Sequence, residues 1–181
     1  MDSLRGLYLE AEKDSGYLRD QNVFGDRVTA EDTMAVVARY RNGAILSYSL
    51  LAYSPWEGYR ASVTGDRGRI ELFDRHGSHV IAGQADEEIA AAQAKNAVQE
   101  LTVFPMFGAP RPVEIPKAEG AHGGGDPILL EQLFGENPPP DPFNRVATHL
   151  DGAASILLGI AANESIRTGL PVRADDLLRL P

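Results

Sequence analysis

The sequence contains no cysteine, which excludes disulfides, thiolate-held metals and a thiol nucleophile. It also lacks any apolar run approaching the roughly 20 residues that span a bilayer; Ile156 to Ala162 is the longest uncharged one. Basic residues are in deficit. Against 26 Asp and Glu stand 17 Lys and Arg, leaving a formal charge of −9. That sign is opposite to the surface that attracts nucleic acid or anionic lipid. The opening Met1-Asp2-Ser3 is polar and acidic, unlike the basic and then apolar start of a secretory signal. These absences predict a soluble, cytoplasmic protein with no nucleic-acid and no membrane partner.

Chemistry-bearing patterns are scarce as well. None of the four histidines pairs with another at the H-x-x-x-H spacing of a zinc-binding helix, so no metal site is expected. There is no G-x-S-x-G elbow, and Ser47 and Ser49 read as sheet surface. His76 and His79 flank a turn and read as solvated. His149 reads as a contact on the side of a long helix, beneath the sheet. Glu12-Lys13 is followed by Asp14 and reads as a solvated pair.

What is present suits one globular domain. A chain of 181 residues that is 43% hydrophobic can bury a sizeable core. Residues 1–33 read as an irregular N-terminal segment in which Leu4 to Leu9 opens as a short strand. From Met34 the strand signals strengthen. The runs 34–40 and 44–53 flank Arg41 and the pair Asn42-Gly43, the two-residue signature of a type I′ hairpin. That turn sets Val37 opposite Tyr48 and Arg39 opposite Leu46. Neither face is then purely polar, so both are expected to be partly covered.

A second hairpin joins 61–64 to 69–73 around Gly65-Asp66-Arg67-Gly68. Its register places Val63 against Ile70 and Ala61 against Leu72, while Ser62, Thr64, Arg69 and Glu71 take the opposite, polar face. Further short strands are expected at 79–82, 100–104 and 112–115, and an alanine-rich helix over 86–98. Two helices close the chain. Asp126-Pro127 supplies an N-cap and first-position proline, with Gly135 at the far end. The last helix starts near Asp141-Pro142 or Asn144 and runs to Thr168, with Gly169 beyond it. Strands preceding helices predict an α+β fold, a mainly antiparallel open sheet with helices packed on one face.

The densest candidate for a site is Gly120-Ala121-His122-Gly123-Gly124-Gly125-Asp126-Pro127. Three consecutive glycines let a backbone approach a ligand closely. The loop lacks the Gly-Lys-Ser/Thr of a Walker A motif and the G-x-G-x-x-G of a dinucleotide fold. Asp126 at a helix N-terminus would also repel a phosphate. His122 reads either as a solvent-facing loop residue or as an imidazole directed at a substrate. Asp126 reads first as a helix cap, and second as a contact to a substrate hydroxyl.

With those residues in view, the chain resembles the C-terminal domain of the Gfo/Idh/MocA oxidoreductases. The likeness covers most of residues 25 to 180. It rests on the Asn-Gly hairpin within 32–53, on Ala61 to Leu72, on Gly120 to Leu130, and on Asp151 to Asn163 with Thr168 to Val172. The resemblance implies a two-domain parent whose Rossmann domain holds NAD or NADP and whose Glu-Lys-Pro lysine moves the hydroxyl proton. This sequence contains no Rossmann unit, no Glu-Lys-Pro and no Asp-x-x-x-His ahead of the first hairpin. It is therefore expected to be a second domain, excised or naturally truncated, with no cofactor of its own and inactive alone. The family reading makes it a substrate-covering domain, forming a homodimer through the sheet, for a sugar or polyol substrate that His122 and Asp126 contact. Two alternatives stand beside it: the matching domain of an NAD-using glycoside hydrolase of the wider family, and a non-enzymatic dimerisation module.

Overall fold

The computed structural model describes residues 5–19, 21–78, 85–116 and 124–180. The architecture is α+β, with open antiparallel sheets and helices, and the chain divides into two units, Met1–Tyr53 and Ser54–Pro181.

In the first unit a strand was expected over Leu4 to Leu9. Instead Arg5–Glu10 makes a wide helical turn, followed by a one-turn helix α1 (Glu12–Ser15). Arg5 Nε meets Glu10 Oε1 at 3.1 Å across the turn. A strand there would need a neighbour to satisfy its backbone, whereas a helical turn satisfies itself.

Strands β1 (Thr33–Arg39) and β2 (Ile45–Leu51) form the expected antiparallel hairpin. Its register is one residue away from expectation: Val36 faces Tyr48, Val37 faces Ser47 and Ala38 faces Leu46. The turn is the cause. Tyr40 N–H donates to the Ala44 carbonyl at 2.9 Å and Gly43 N–H to the Tyr40 carbonyl at 3.0 Å. The loop therefore has three residues, Arg41-Asn42-Gly43, closed by Gly43 at φ 88°, the pattern of a type I turn ending in a left-handed glycine. Asn42 Oδ1 accepts the Ala44 N–H at 3.0 Å and stiffens it. In this register Met34, Val36 and Ala38 share a face with Leu46, Tyr48 and Leu50. Val37, Ile45 and Leu51 occupy the other face and are 75%, 72% and 65% exposed. Among the described residues of the first unit, nothing covers that second face.

The second unit holds a four-stranded sheet in the order β3 (Trp56–Gly65), β4 (Gly68–Ser78), β5 (Val98–Pro105), β6 (Arg111–Val113), antiparallel throughout. The expected pairs hold, with Val63 opposite Ile70 and Ala61 opposite Leu72. Strand β6 begins one residue before the expected 112 and ends at Val113. The strand expected at 79–82 lies outside the described residues. The alanine-rich helix is present as α2 (Asp86–Asn96), lying along β4. Arg75 Nε donates to the Asn96 carbonyl at 2.8 Å, a cation on one of the unpaired carbonyls at a helix C-terminus.

Helix α3 (Gly125–Phe134) corrects the expectation for Asp126. The N-cap is Gly124, which has no side chain to cap with, and Asp126 and Pro127 lie inside the first turn. Amides of that turn have no intrahelical acceptor, so proline is tolerated at its third position as well as its first. Gly135 ends the helix as expected, its N–H bound to the Glu131 carbonyl at 2.9 Å.

Helix α4 (His149–Thr168) starts later than 141 or 144. Asn144 has φ 54°, and Asp141 Oδ2 accepts the Val146 N–H at 2.7 Å, which holds a turn that a helix cannot contain. The Val146 N–H, aided by neighbouring amides and Arg145, lowers the Asp141 pKa despite some desolvation. The start is a capping box. Thr148 Oγ1 accepts the Asp151 N–H at 3.4 Å, and Asp151 Oδ2 accepts the Thr148 N–H at 2.7 Å. Those bonds to Thr148 hold the Asp151 carboxyl below its ordinary range. His149 is the first helical residue and is exposed, not placed beneath the sheet. Gly169 caps the far end in the left-handed conformation, and a short α5 (Ala174–Leu177) follows. The buried apolar side chains among the described residues are Leu157 and Ala161 of α4, at 8% and 7% exposure. No helix among the described residues is long and apolar enough to cross a membrane.

Candidate functional site

His122, the principal candidate, and Gly120 to Gly123 lie outside the described residues. The described end of the glycine loop places Asp126 half-buried in the first turn of α3. A carboxylate there opposes the pyrophosphate of a dinucleotide, which would seek the same positive helix end. Beyond Asp126, helix α3 presents Ile128, Leu129, Leu130, Leu133 and Phe134 to solvent.

The other sequence candidates are dispersed. Ser47 and Ser49 sit on the exposed face of the hairpin. His76 lies within β4, not beside a turn, at an irregularity where Gly58 and Glu57 face Arg75 and Gly77. His76 Nε2 stands 3.4 Å from Oδ1 of the nearly buried Asp74. Asp74 Oδ2 also accepts Gln99 Nε2 at 3.0 Å, and Tyr59 meets the imidazole edge-on at 6.2 Å. His79 lies outside the described residues. Among the described residues no group of His, Asp and Glu could hold a metal ion.

A cavity of about 430 Å³ opens on the sheet of the second unit. Its walls follow from the register. Alternation puts Arg60 and Ser62 of β3, Glu71 and Phe73 of β4, and Glu100 and Thr102 of β5 on one face. They form two rows across three strands, Arg60–Phe73–Glu100 and Ser62–Glu71–Thr102. Phe73 is the apolar floor. The Arg60 guanidinium lies 4.6 Å from its ring centroid and Trp56 meets it edge-on at 5.7 Å, geometries that favour cation–π and edge-to-face contact.

The charges of this face are unequally occupied. Arg69 Nε bonds Glu71 Oε1 at 2.6 Å and its Nη1 donates to Thr64 Oγ1 at 2.8 Å, so both charges are engaged. Arg60 and Glu100 make no ion pair or side-chain hydrogen bond among the described residues. Sequence reasoning found the polar face in Ser62, Thr64, Arg69 and Glu71, but missed Trp56, Arg60, Phe73 and Glu100. The missed signal was the continuing alternation of β3 beyond Ala61, together with the pairing of β5 on β4.

Comparison with known proteins agrees with this architecture. Residues 7–173 match the model of the Gfo/Idh/MocA oxidoreductase family's C-terminal alpha/beta domain. The chain is 32% identical over 182 aligned residues to the "Putative oxidoreductase YteT" of Bacillus subtilis (strain 168). That alignment takes in 98% of this chain and 40% of the relative, so the chain spans well under half of that protein's length. No solved structure matches the chain significantly. The chain belongs to the Gfo/Idh/MocA oxidoreductase family and contains its C-terminal alpha/beta domain.

Proposed function

We propose that the chain acts as the substrate-covering and dimerising domain of an NAD(P)-dependent sugar or polyol oxidoreductase, and is inactive alone. The observation that carries this reading is helix α3. Directly after the glycine loop it holds Ile128, Leu129, Leu130, Leu133 and Phe134 in solvent, and a helix apolar over so much of its circumference is one that another surface covers. A cofactor domain docked on α3 would bring its nicotinamide to the loop carrying His122. Hydride transfer needs nicotinamide, substrate carbon and an acid or base held together. In this reading the chain supplies the substrate-facing wall, with His122 as hydrogen-bond partner and Asp126 orienting the loop's end.

The test uses the full-length oxidoreductase. His122→Ala is expected to lower kcat/KM for its sugar or polyol at least tenfold, on the scale of a positioned hydrogen-bonding or proton-transfer group. The 181-residue chain alone is expected to produce no NADH. Unchanged kinetics in His122→Ala would sink the site assignment.

The dimer belongs to the exposed face of the first hairpin. Val37, Ile45 and Leu51 share that face, and a strip of apolar residues facing the same way suits a second copy. Ile45→Lys is expected to convert a dimer to a monomer in light scattering while the circular dichroism of the sheet is retained. A wild-type chain that runs as a monomer at high concentration would remove this surface from the proposal.

A further inference from the structure

We propose that Asn42-Gly43 is a site of spontaneous covalent modification, where the chain converts its own asparagine to aspartate and isoaspartate. The step needs no enzyme. The Gly43 nitrogen, giving its proton to water, attacks Cγ of Asn42; ammonia carries off the side-chain nitrogen, and a five-membered succinimide remains. Water then opens either carbonyl of that ring, leaving aspartate, or the isoaspartate in which the main chain runs through Cβ. The turn between β1 and β2 brings the reacting atoms together. Asn42 Oδ1 accepts the Ala44 N–H at 3.0 Å. The ring closed by that bond contains both Cγ and the Gly43 nitrogen, so the side chain is folded back over the peptide that attacks it. The Ala44 N–H also donates to the oxygen on which negative charge gathers during the attack, as a donor in an oxyanion hole does. A Cβ placed on Gly43 would meet nothing within 4 Å, and both residues are exposed, so water reaches the imide. One contact opposes the step. The Gly43 N–H donates to the Tyr40 carbonyl at 3.0 Å, which holds the departing proton, but an exposed bond of this kind slows the reaction only roughly fivefold.

The rest of the chain confines the reaction to this turn. Of the six asparagines, Asn42 is the one followed by glycine. Asn22, Asn96, Asn144 and Asn163 precede Val23, Ala97, Arg145 and Glu164, whose side chains crowd the attacking nitrogen, and Asn137 precedes Pro138, which has no N–H. Asp151-Gly152 has glycine in the right place but is shut by its helix. Gly152 N–H donates to the Thr148 carbonyl at 3.1 Å, and Asp151 Oδ2 accepts both the Thr148 N–H and its hydroxyl at 2.7 Å. Those bonds keep the carboxyl ionised, and an anion is a poor target for a nitrogen nucleophile. The two products at residue 42 differ in consequence. Aspartate keeps an oxygen where Oδ1 stood and can accept the same Ala44 N–H. Isoaspartate adds a methylene to the main chain of a three-residue loop, so the Tyr40 N–H and the Ala44 carbonyl, 2.9 Å apart as nitrogen and oxygen, are pushed out of register.

Ageing the 181-residue chain in mildly alkaline buffer, with peptide mapping by mass spectrometry, is expected to show the conversion of amide to acid at Asn42 about tenfold faster than at any other asparagine. Labelling with an isoaspartyl methyltransferase should mark the same peptide. The rate should rise with pH, because the attacking nitrogen must lose its proton. Asn42→Gln, whose longer side chain closes a larger ring, and Gly43→Ala should each lower ammonia release about tenfold. Gly43→Ala also strains the turn, since Gly43 has φ 88°; Asn42→Gln leaves the backbone as it is and is the deciding variant. In hydrogen exchange, the Tyr40 amide should lose protection in the isoaspartate fraction and keep it in Asn42→Asp. An Asn42 that converts no faster than Asn163, or ammonia release unchanged in Asn42→Gln, would overturn the proposal. Equal Tyr40 protection in the isoaspartate fraction would overturn its consequence for the turn. The chemistry needs no cofactor, no His122 and no second copy, so it can fail while the functional reading stands, and the reverse.

Discussion

Replacing Gly68 with alanine is expected to destabilise the sheet of the second unit by about 3 kcal/mol, combining a disfavoured backbone conformation with an overlap that cannot relax locally. Gly68 opens β4 directly after the Asp66-Arg67 turn, at φ 145°. It is paired on both sides, with Gly65 of β3 and Pro105 of β5. A Cβ there would run into the Phe104 carbonyl oxygen and lie 3.0 Å from the Pro105 Cα. Both obstacles are backbone atoms held in a ladder, so no side-chain rotation relieves them. Moving β5 away would cost the hydrogen bonds that join it to β4. Gly65, three residues earlier in the same turn, is the control, because a Cβ on it meets nothing within 4 Å. Thermal unfolding followed by Trp56 fluorescence should show Gly68→Ala lowered by about 6–12 °C, with Gly65→Ala close to wild type. A Gly68→Ala protein that melts with wild type would mean that the β4–β5 pairing does not hold at that end.

The contrast between the two hairpins shows what a sequence can carry. In the second hairpin, Val63, Ile70, Ala61 and Leu72 separate from Ser62, Thr64, Arg69 and Glu71 in only one register, and the structure has that register. In the first, Asn42-Gly43 is compatible with a two-residue and a three-residue loop, since both place glycine at positive φ. The hydrophobic pattern held the answer: only the longer loop gathers Met34, Val36 and Ala38 with Leu46, Tyr48 and Leu50. Helix ends divide in the same way. Gly169 marked the end of α4 correctly, whereas Asp141-Pro142 outweighed the Thr148-x-x-Asp151 capping box that starts it. Asp126-Pro127 likewise drew the start of α3 two residues too far along.

The sheet site was half legible. Alternation within β3 and β4 revealed a polar face, but one strand cannot show which residues its neighbours contribute. Arg60, Phe73 and Glu100 are 13 and 27 residues apart in the chain and become a row only once β4 and β5 pair. The loop around His122 was the reverse case, conspicuous in sequence because consecutive glycines have a direct conformational meaning. In the proposed reading its chemistry depends on a surface that the local pattern does not encode.

Helix α4 offers the second large effect, in two neighbouring positions expected to respond in opposite ways. Leu157 is 8% exposed, and Ala161, one turn along, is 7% exposed. Residues four apart lie on one side of a helix, so this pair marks the face that α4 buries. Ile156, the preceding residue, points elsewhere and is 68% exposed. Leu157→Ala removes buried methyl groups and leaves a void, which costs about 2–4 kcal/mol. Ile156→Ala removes little contact and exchanges a β-branched side chain for the best helix former, a gain of a few tenths of a kcal/mol. Urea unfolding of the chain should therefore lower the midpoint strongly for Leu157→Ala and leave Ile156→Ala at or slightly above wild type. Equal losses at the two positions would mean that α4 buries a different face. In the longer parent protein proposed above, the comparison gains a second meaning. If Ile156→Ala destabilises the longer protein but not this chain, the exposed side of α4 is a surface that the rest of the parent covers.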